Sequence, residues 1–441
     1  MTMMRDVLAL VLAGGSTSGF GVLTLNRAKG ALPFGGHYRI VDFALSNLRN
    51  SGVHQVGLII QYLPSSLIEH VGVGHPWDFQ GYGRLLKIMP PFVGIKETVW
   101  YKGTADALWQ NMNIVRDLNP EHIIVLSGEH VYYLDYRAVL AFHRDHDADI
   151  TMVTKTLPPP RRTSRFGYVL SGDGQRVTAF LEKPSTPPPG ATISTGIYVF
   201  RTRVLMDLLS DNAATATHNL AKDILEPYAS QFKSFNFPSH EPWEYLESAA
   251  DYYQVHFDLL GCEGGTPMAS WGILTNQEYR GLGFAPPPYF GRQAQVDGAL
   301  VGGGCHIEGT VERSILSPGV RVGPGAVVRD SIVMHDCIIG EGALLDGVIS
   351  DKDAEFAAGC RVGADRVDLP RDTEAARSYG ILTLVGKGAR IGPGVSVPKT
   401  IQVAPGGRLP DQQSVETEIA ALEGRIVATG DLSPYFMRGR A

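Results

Sequence analysis

From about residue 296 the apolar residues return at every sixth position: Val327, Val333, Ile339 and Leu345 form one row, and Ile332, Ile338 and Leu344 another. A helix repeats every 3.6 residues and a strand every two, so this spacing fits neither alone. It fits a parallel β-helix in which each flat face takes one hexapeptide, Gly and Pro turn the corners, and stacked coils bury a continuous core. The competing reading, a β-sandwich, would need the spacing to arise by chance. Val385, Ile391 and Val397 resume the step after an interruption at Ala364 to Tyr379.

The first 260 residues read differently. Val7 to Leu12, Val56 to Ile60, Ile123 to Leu126 and Ile150 to Thr154 are short apolar runs rich in Val and Ile, as strands are. Between them, Val41 to Asn50, Thr104 to Leu118 and Tyr136 to His146 carry helical spacing, with Leu108, Met112 and Val115 on one face. Strand and helix in alternation imply right-handed crossovers and a mostly parallel sheet covered on both faces. Ligands of such sheets lie beyond the carboxyl ends of the strands. Two turns fall there, the Gly14-Gly15 loop and Gly128-Glu129-His130. The expected organisation is an α/β domain over 1–265, a linker over 266–295 containing Pro286-Pro287-Pro288, the β-helix over 296–405, and a tail over 406–441 with a short helix near Val415 to Leu422.

A chain of 441 residues exceeds what one core fills, which agrees with two domains. The formal charge of -6 and the lack of any like-charge run exclude an electrostatic footprint for nucleic acid. Cys262, Cys305, Cys337 and Cys360 are too far apart for a zinc knuckle or a disulfide framework, which points to a reducing cytoplasm. No apolar run is long enough for a signal sequence or a membrane span. His54, His70 and His75 lack ligand spacing and are expected to be structural or exposed.

Further motifs follow the glycine loop in a fixed order. They are Arg27-Ala28-Lys29, Pro33-Phe34-Gly35-Gly36, Tyr38-Arg39-Ile40, Asp42 to Asn47, Gln61-Tyr62, Gly103 to Ala107, Phe180 to Pro184, Gly196 to Phe200 and Lys222-Asp223-Ile224. Together with the hexapeptide repeat they closely resemble bacterial ADP-glucose pyrophosphorylases, the glucose-1-phosphate adenylyltransferases of glycogen biosynthesis, over nearly the whole chain to about residue 400. The resemblance implies a Rossmann-like nucleotidyltransferase domain with a mostly parallel sheet, then a left-handed parallel β-helix. It also implies conversion of ATP and glucose 1-phosphate to ADP-glucose and pyrophosphate.

By the same resemblance Gly14, Gly15, Gln61, Gly103, Thr104 and Asp106 take the nucleotide, and Glu182, Lys183 and Ser194 the sugar phosphate. Lys29 and Glu129 are catalytic, Glu129 binds Mg²⁺, and Arg39 is a candidate for an effector or substrate phosphate. Read alone, Thr104 is equally an N-cap for the helix through Asp106. Metabolite effectors and a homo- or hetero-tetramer with a paralogue are also implied.

Three positions depart from the family pattern. Gly19 stands where the triphosphate arginine belongs, Glu129 replaces the aspartate of a G-D-H turn, and Tyr245 replaces the second metal aspartate. Gly30 replaces a proline, and Leu25 and Asn26 replace charged residues. Each lost charge-stabilising group costs on the order of 10² to 10³ in rate. The expectation is weak or lost Mg²⁺ binding and weak or lost turnover. The alternatives are a non-catalytic regulatory subunit that modulates a catalytic paralogue, and a nucleotidyltransferase of different specificity.

Overall fold

The run Val7–Leu12 is buried along almost its whole length and forms the central strand β1. The structure, a computed structural model, describes residues 4–15, 18–91, 100–158, 163–212, 217–260, 268, 270–278, 285–364, 382–419 and 436–439. It divides into two compact units: Met1–Gly15 with Ile40–Glu244 and Gly272–Leu274, and Ser16–Arg39 with Tyr245–Trp271 and Thr275–Ala441.

In the first unit β1 pairs in parallel with β2 (Gln55–Ile59) and β4 (His122–Ser127), and β2 with β3 (Leu85–Met89). Beyond β4 the sheet is mixed. Strand β8 (Thr192–Arg201) runs antiparallel to β4, to β5 (Ile150–Lys155) and to β6 (Gly167–Ser171). Strand β7 (Val177–Glu182) edges β6, and β9 (Ser234–Pro238) pairs in parallel with β5.

The helices follow the expected spacing with one break. Helix α1 spans Ile40–Asn50 and α4 spans Tyr136–Asp145, but the stretch expected as one helix is two, α2 (Thr104–Gln110) and α3 (Met112–Leu118). At the break Asn111 is 1 % exposed, and its side-chain amide donates to Ala107 O and to the Tyr101 hydroxyl. Buried amide bonds of this kind compete with the helical ladder.

In the second unit the hexapeptide region forms three parallel ladders. One ladder stacks Tyr289–Phe290, His306–Ile307, Arg321–Val322, Ile338–Ile339, Glu355–Phe356 and Arg390–Ile391. The second stacks Leu300–Val301 through Thr383–Val385, and the third Gln295–Asp297 through Ser396–Val397. The chain advances 17 residues from Arg321 to Ile338 and from Ile338 to Glu355, 15 from His306 to Arg321, and 35 from Glu355 to Arg390, where the interruption falls. Three hexapeptide faces per coil give this parallel β-helix.

Val333, Ile339 and Leu345 point into its core as expected, but Val328 fills the place assigned to Val327, which is half-buried. Ile338 faces outward at 45 % exposure because Ile339 takes the interior, and neighbours on a strand point to opposite faces. Ile332 and Val333 are both buried, as are Ile315 and Leu316. On this second ladder the outer face is covered by the segment 18–36: Gly36 lies against Ile315, and Gly21–Thr24 packs on Thr383–Val385 and Gln402–Leu409. The expected tail helix runs over 412–419. Its last residues and most of the Ala364 to Tyr379 interruption lie outside the described residues.

Candidate functional site

In the first unit the site grows from the glycine turn at the end of β1. A Cβ on Gly14 would lie 2.5 Å from Gln61 N, so only glycine lets the exits of β1 and β2 come this close. The Gly15 N–H donates to Glu129 Oε1 at 3.3 Å, which brings the two turns singled out in the sequence together at one sheet edge. Gly128 closes the second turn, its N–H donating to Leu12 O at 2.9 Å.

The buried motif Asp42 to Asn47 supports that turn from behind. Asn47 Nδ2 donates to Tyr132 O at 3.0 Å, and Asp42 meets His70 at 2.6 Å with both side chains almost wholly buried. His70 is therefore structural, as expected.

On the nucleotide side Gln61 clamps Tyr101, accepting from its N–H at 3.0 Å and donating to its carbonyl at 3.4 Å. Gly103 is packed so tightly that a Cβ would lie 2.3 Å from His218 O. Thr104 does not cap α2. The N-cap is Gly103, with no side-chain bond, and Thr104 Oγ1 instead accepts from Leu220 N at 2.9 Å. A hydroxyl inside the first turn is already past the position from which a cap reaches forward. Asp106 reaches back to Lys102 N and across to Gln110, both at 2.8 Å.

On the sugar-phosphate side Ser194 lies on β8, its hydroxyl 2.8 Å from that of Tyr198. The β5–β8 register shifts between Ser194 and Ile197, and Gly196 sits in this bulge at φ +73°. A Cβ there would lie 3.5 Å from the His130 ring and 3.9 Å from Ser127, so the bulge brings this strand against the Glu129 turn. Glu182 ends β7. Burial, the largest influence, raises its carboxyl above the ordinary range, with Lys183 opposing and Glu226 adding. A Cβ on Gly167 would come within 2.9 Å of Glu182 Oε2. Lys183 itself adopts φ +47°, a left-handed conformation that a side chain rarely tolerates except where function or packing imposes it.

The second unit holds Lys29, Arg39, Gly19 and Tyr245. Lys29 is 5 % exposed, its ammonium 5.8 Å from the Phe20 ring centre and 5.6 Å from that of Tyr245. Arg39 is 3 % exposed and donates to Ala31 O at 2.5 Å, a buried backbone partner. At Gly19 a Cβ would lie 2.2 Å from Glu247 O, and the Gly19 carbonyl accepts from Ala249 N at 2.9 Å. The backbone over 247–249 thus occupies the space that any side chain at position 19 would need.

Sequence reasoning missed the anchoring of this segment. Arg27 forms two 2.7 Å hydrogen bonds to Asp351, both residues almost fully buried, and Gln402 Oε1 accepts from Val22 N at 3.1 Å. Nothing local signals pairs 324 and 380 positions apart. Gly35 N–H donates to His256 Nε2 at 3.0 Å, while His256 Nδ1 is 2.7 Å from Tyr252 O. Those bonds require a neutral ring protonated at Nδ1, and burial lowers its pKa to about 4.

Among the described residues one further group has metal-ligand spacing, Asp6, Glu121 and His122, at the opposite ends of β1 and β4 from the glycine turn. The Arg144 guanidinium already fills it, 2.5 Å from Asp6 and 3.5 Å from His122 Nε2. At the glycine-turn edge Glu129 offers one carboxylate.

Residues 8–260 match the family described as Nucleotidyl transferase, and residues 289–382 match the GlmU-like C-terminal hexapeptide family. A Clostridium perfringens protein named glucose-1-phosphate adenylyltransferase is 34 % identical over 81 % of this chain and 92 % of its own length. One of the same name from Acetivibrio thermocellus is 33 % identical over 91 % and 93 %, and one from Desulfitobacterium hafniense 33 % over 83 % and 92 %. Family matches across both halves and identity sustained along most of its length make this chain a member of the glucose-1-phosphate adenylyltransferase family.

Proposed function

We propose that this chain converts ATP and glucose 1-phosphate to ADP-glucose and pyrophosphate, slowly, with Glu129 as its metal-side carboxylate. The observation that carries this is the 3.3 Å bond from Gly15 N–H to Glu129, which sets a carboxylate and backbone donors at one sheet edge, with the Gly196 bulge against the same turn. In the reaction a sugar-phosphate oxygen attacks the α-phosphorus in line, the α–β phosphoanhydride bond breaks, and charge grows on the departing pyrophosphate.

Binding and orientation fall to Gln61, Gly103, Thr104 and Asp106 around the nucleoside, and to Glu182, Lys183 and Ser194 around the sugar phosphate. Lys29 is the cation of the phosphate side. A single protein carboxylate together with substrate phosphates lies within the coordination habits of Mg²⁺, so Glu129 is a fitting holder. Bound Mg²⁺ would supply charge neutralisation on phosphate oxygens. Tyr245 offers a phenol in place of a second carboxylate, which supports the slow rate.

Nothing in the described residues or in the relatives' names favours a non-catalytic subunit. The bond from Arg39 to Ala31 O supports a structural role beside any phosphate role. Domain limits near 265 and 296, control by metabolite effectors, a tetrameric assembly and a cytoplasmic location complete the proposal.

The test is pyrophosphate release from purified protein with ATP, glucose 1-phosphate and Mg²⁺. Slow release that a chelator and Glu129→Gln both abolish supports it. Release that survives Glu129→Gln, or no release at any enzyme concentration, overturns it.

A further inference from the structure

The segment 18–36, which follows the glycine turn directly in sequence and carries Lys29, rests on the β-helix through a built platform. Its backbone is pinned where Val22 N–H meets Gln402, its one fully buried guanidinium is gripped in bidentate fashion by Asp351, and its far end packs Gly36 against Ile315. Asp351 is itself fixed, its N–H donating to Val385 O at 2.7 Å and its Oδ1 also accepting from Lys352 N at 2.7 Å. Gln402 lies so close that a Cβ on Gly21 would come within 2.1 Å of its Oε1.

A bidentate buried pair fixes direction as well as distance, because the guanidinium fork accepts a carboxylate in one plane. Arg27 and Lys29 are two residues apart, joined through Ala28 in an extended conformation, and a short helical turn over Lys29–Ala31 follows. The plane of Asp351 therefore sets the course of the backbone that presents Lys29.

We infer that Asp351 and Gln402 are positioning residues for the nucleotide side of the reaction, acting through Arg27 and the Val22 backbone on the segment that carries Lys29. The β-helix then contributes to ATP affinity without touching ATP. This rests on the proposed function for its substrate and on the second unit alone for its geometry.

The experiment compares the full chain with Asp351→Asn, the conservative Asp351→Glu and the milder Gln402→Ala. Asp330→Asn, which loses only an exposed pair with Arg313, is the control. Calorimetry gives Kd for Mg-ATP and for glucose 1-phosphate separately, and hydrogen exchange without ligand follows the amides of residues 18–36.

Asp351→Asn is expected to raise the Kd for ATP about tenfold, in the usual range of site coupling, with the glucose 1-phosphate Kd within about twofold. Exchange at Val22 and Leu32 should quicken in both Asp351→Asn and Gln402→Ala, Asp351→Glu should recover part of the loss, and Asp330→Asn should change nothing. Equal weakening for both substrates overturns the inference, as does unchanged ATP affinity. If the parent chain binds no ATP the proposed function fails, and exchange still decides: unchanged protection of 18–36 in Asp351→Asn overturns the positioning role.

Discussion

Lys29 and Tyr245 form a cation–ring pair, the buried ammonium 5.6 Å from the centre of a half-buried ring. A cation over an aromatic face is stabilised by the ring quadrupole, by about 2 kcal/mol where water is excluded. Tyr245→Phe, which keeps the ring, should therefore leave stability nearly unchanged, whereas Tyr245→Leu should cost about 1–2 kcal/mol in denaturant unfolding. Equal stability of the two variants would remove the pair as a stabilising contact.

An arginine placed at position 19 should not by itself raise activity. Gly19→Arg forces a Cβ into the Glu247 carbonyl, a backbone atom that cannot swing aside, and should destabilise by about 1–3 kcal/mol, as overpacking does. Pyrophosphate release should stay flat or fall. A stable Gly19→Arg variant with raised turnover would mean that the loop rearranges.

Lys183 offers a way to separate strain from charge. Lys183→Ala and Lys183→Gly both remove the ammonium and should both weaken glucose 1-phosphate binding by tenfold or more. At φ +47° the glycine variant should be the more stable by about 1 kcal/mol, the left-handed cost for a residue with a Cβ. Calorimetry and thermal unfolding read the two effects independently, and unchanged sugar-phosphate affinity would withdraw the assignment.

Acid should weaken the second unit through His256. Its folded-state pKa, lowered to about 4 by burial, lies below the ordinary 6.5, so the unfolded chain binds the extra proton first. Its contribution is complete above pH 6.5 and is lost as pH falls toward 4. Between pH 7.5 and 5 the loss should be about 2 kcal/mol, and His256→Gln should flatten that part of the pH–stability profile. An unchanged slope in the variant would assign the acid sensitivity elsewhere.

Local pattern carried the reading where local physics decides the outcome. The apolar runs of β1 and β4 needed only burial, and the β-helix rows needed only repetition. Ile338 was misassigned because a period of six does not say which of two neighbouring strand residues turns inward. Ile315 is buried on what would be an outer face because Gly36 lies against it, and that is a tertiary fact. The helix break at Asn111 depends on the Tyr101 hydroxyl, and the Thr104 hydroxyl on Leu220, partners that lie outside each helix. The order of motifs is what singled out the glycine turn, Glu129 and Lys183, and of these the structure sets Gly15 against Glu129. The pairing of Arg27 with Asp351 was out of reach, because charged residues that meet across 324 positions leave no periodic trace.

The closure of Gly19 onto Glu247 also bears on which substitutions are open to this chain. While the carbonyl at 247 occupies that space, any side chain introduced at position 19 meets backbone before it can reach a ligand. Admitting one requires the backbone over 247–249, which is itself bonded to the Gly19 carbonyl through Ala249 N, to withdraw first. The two positions thus act as a lock that opens only to a paired change, so a new cation is more easily introduced at another place in the chain than at position 19.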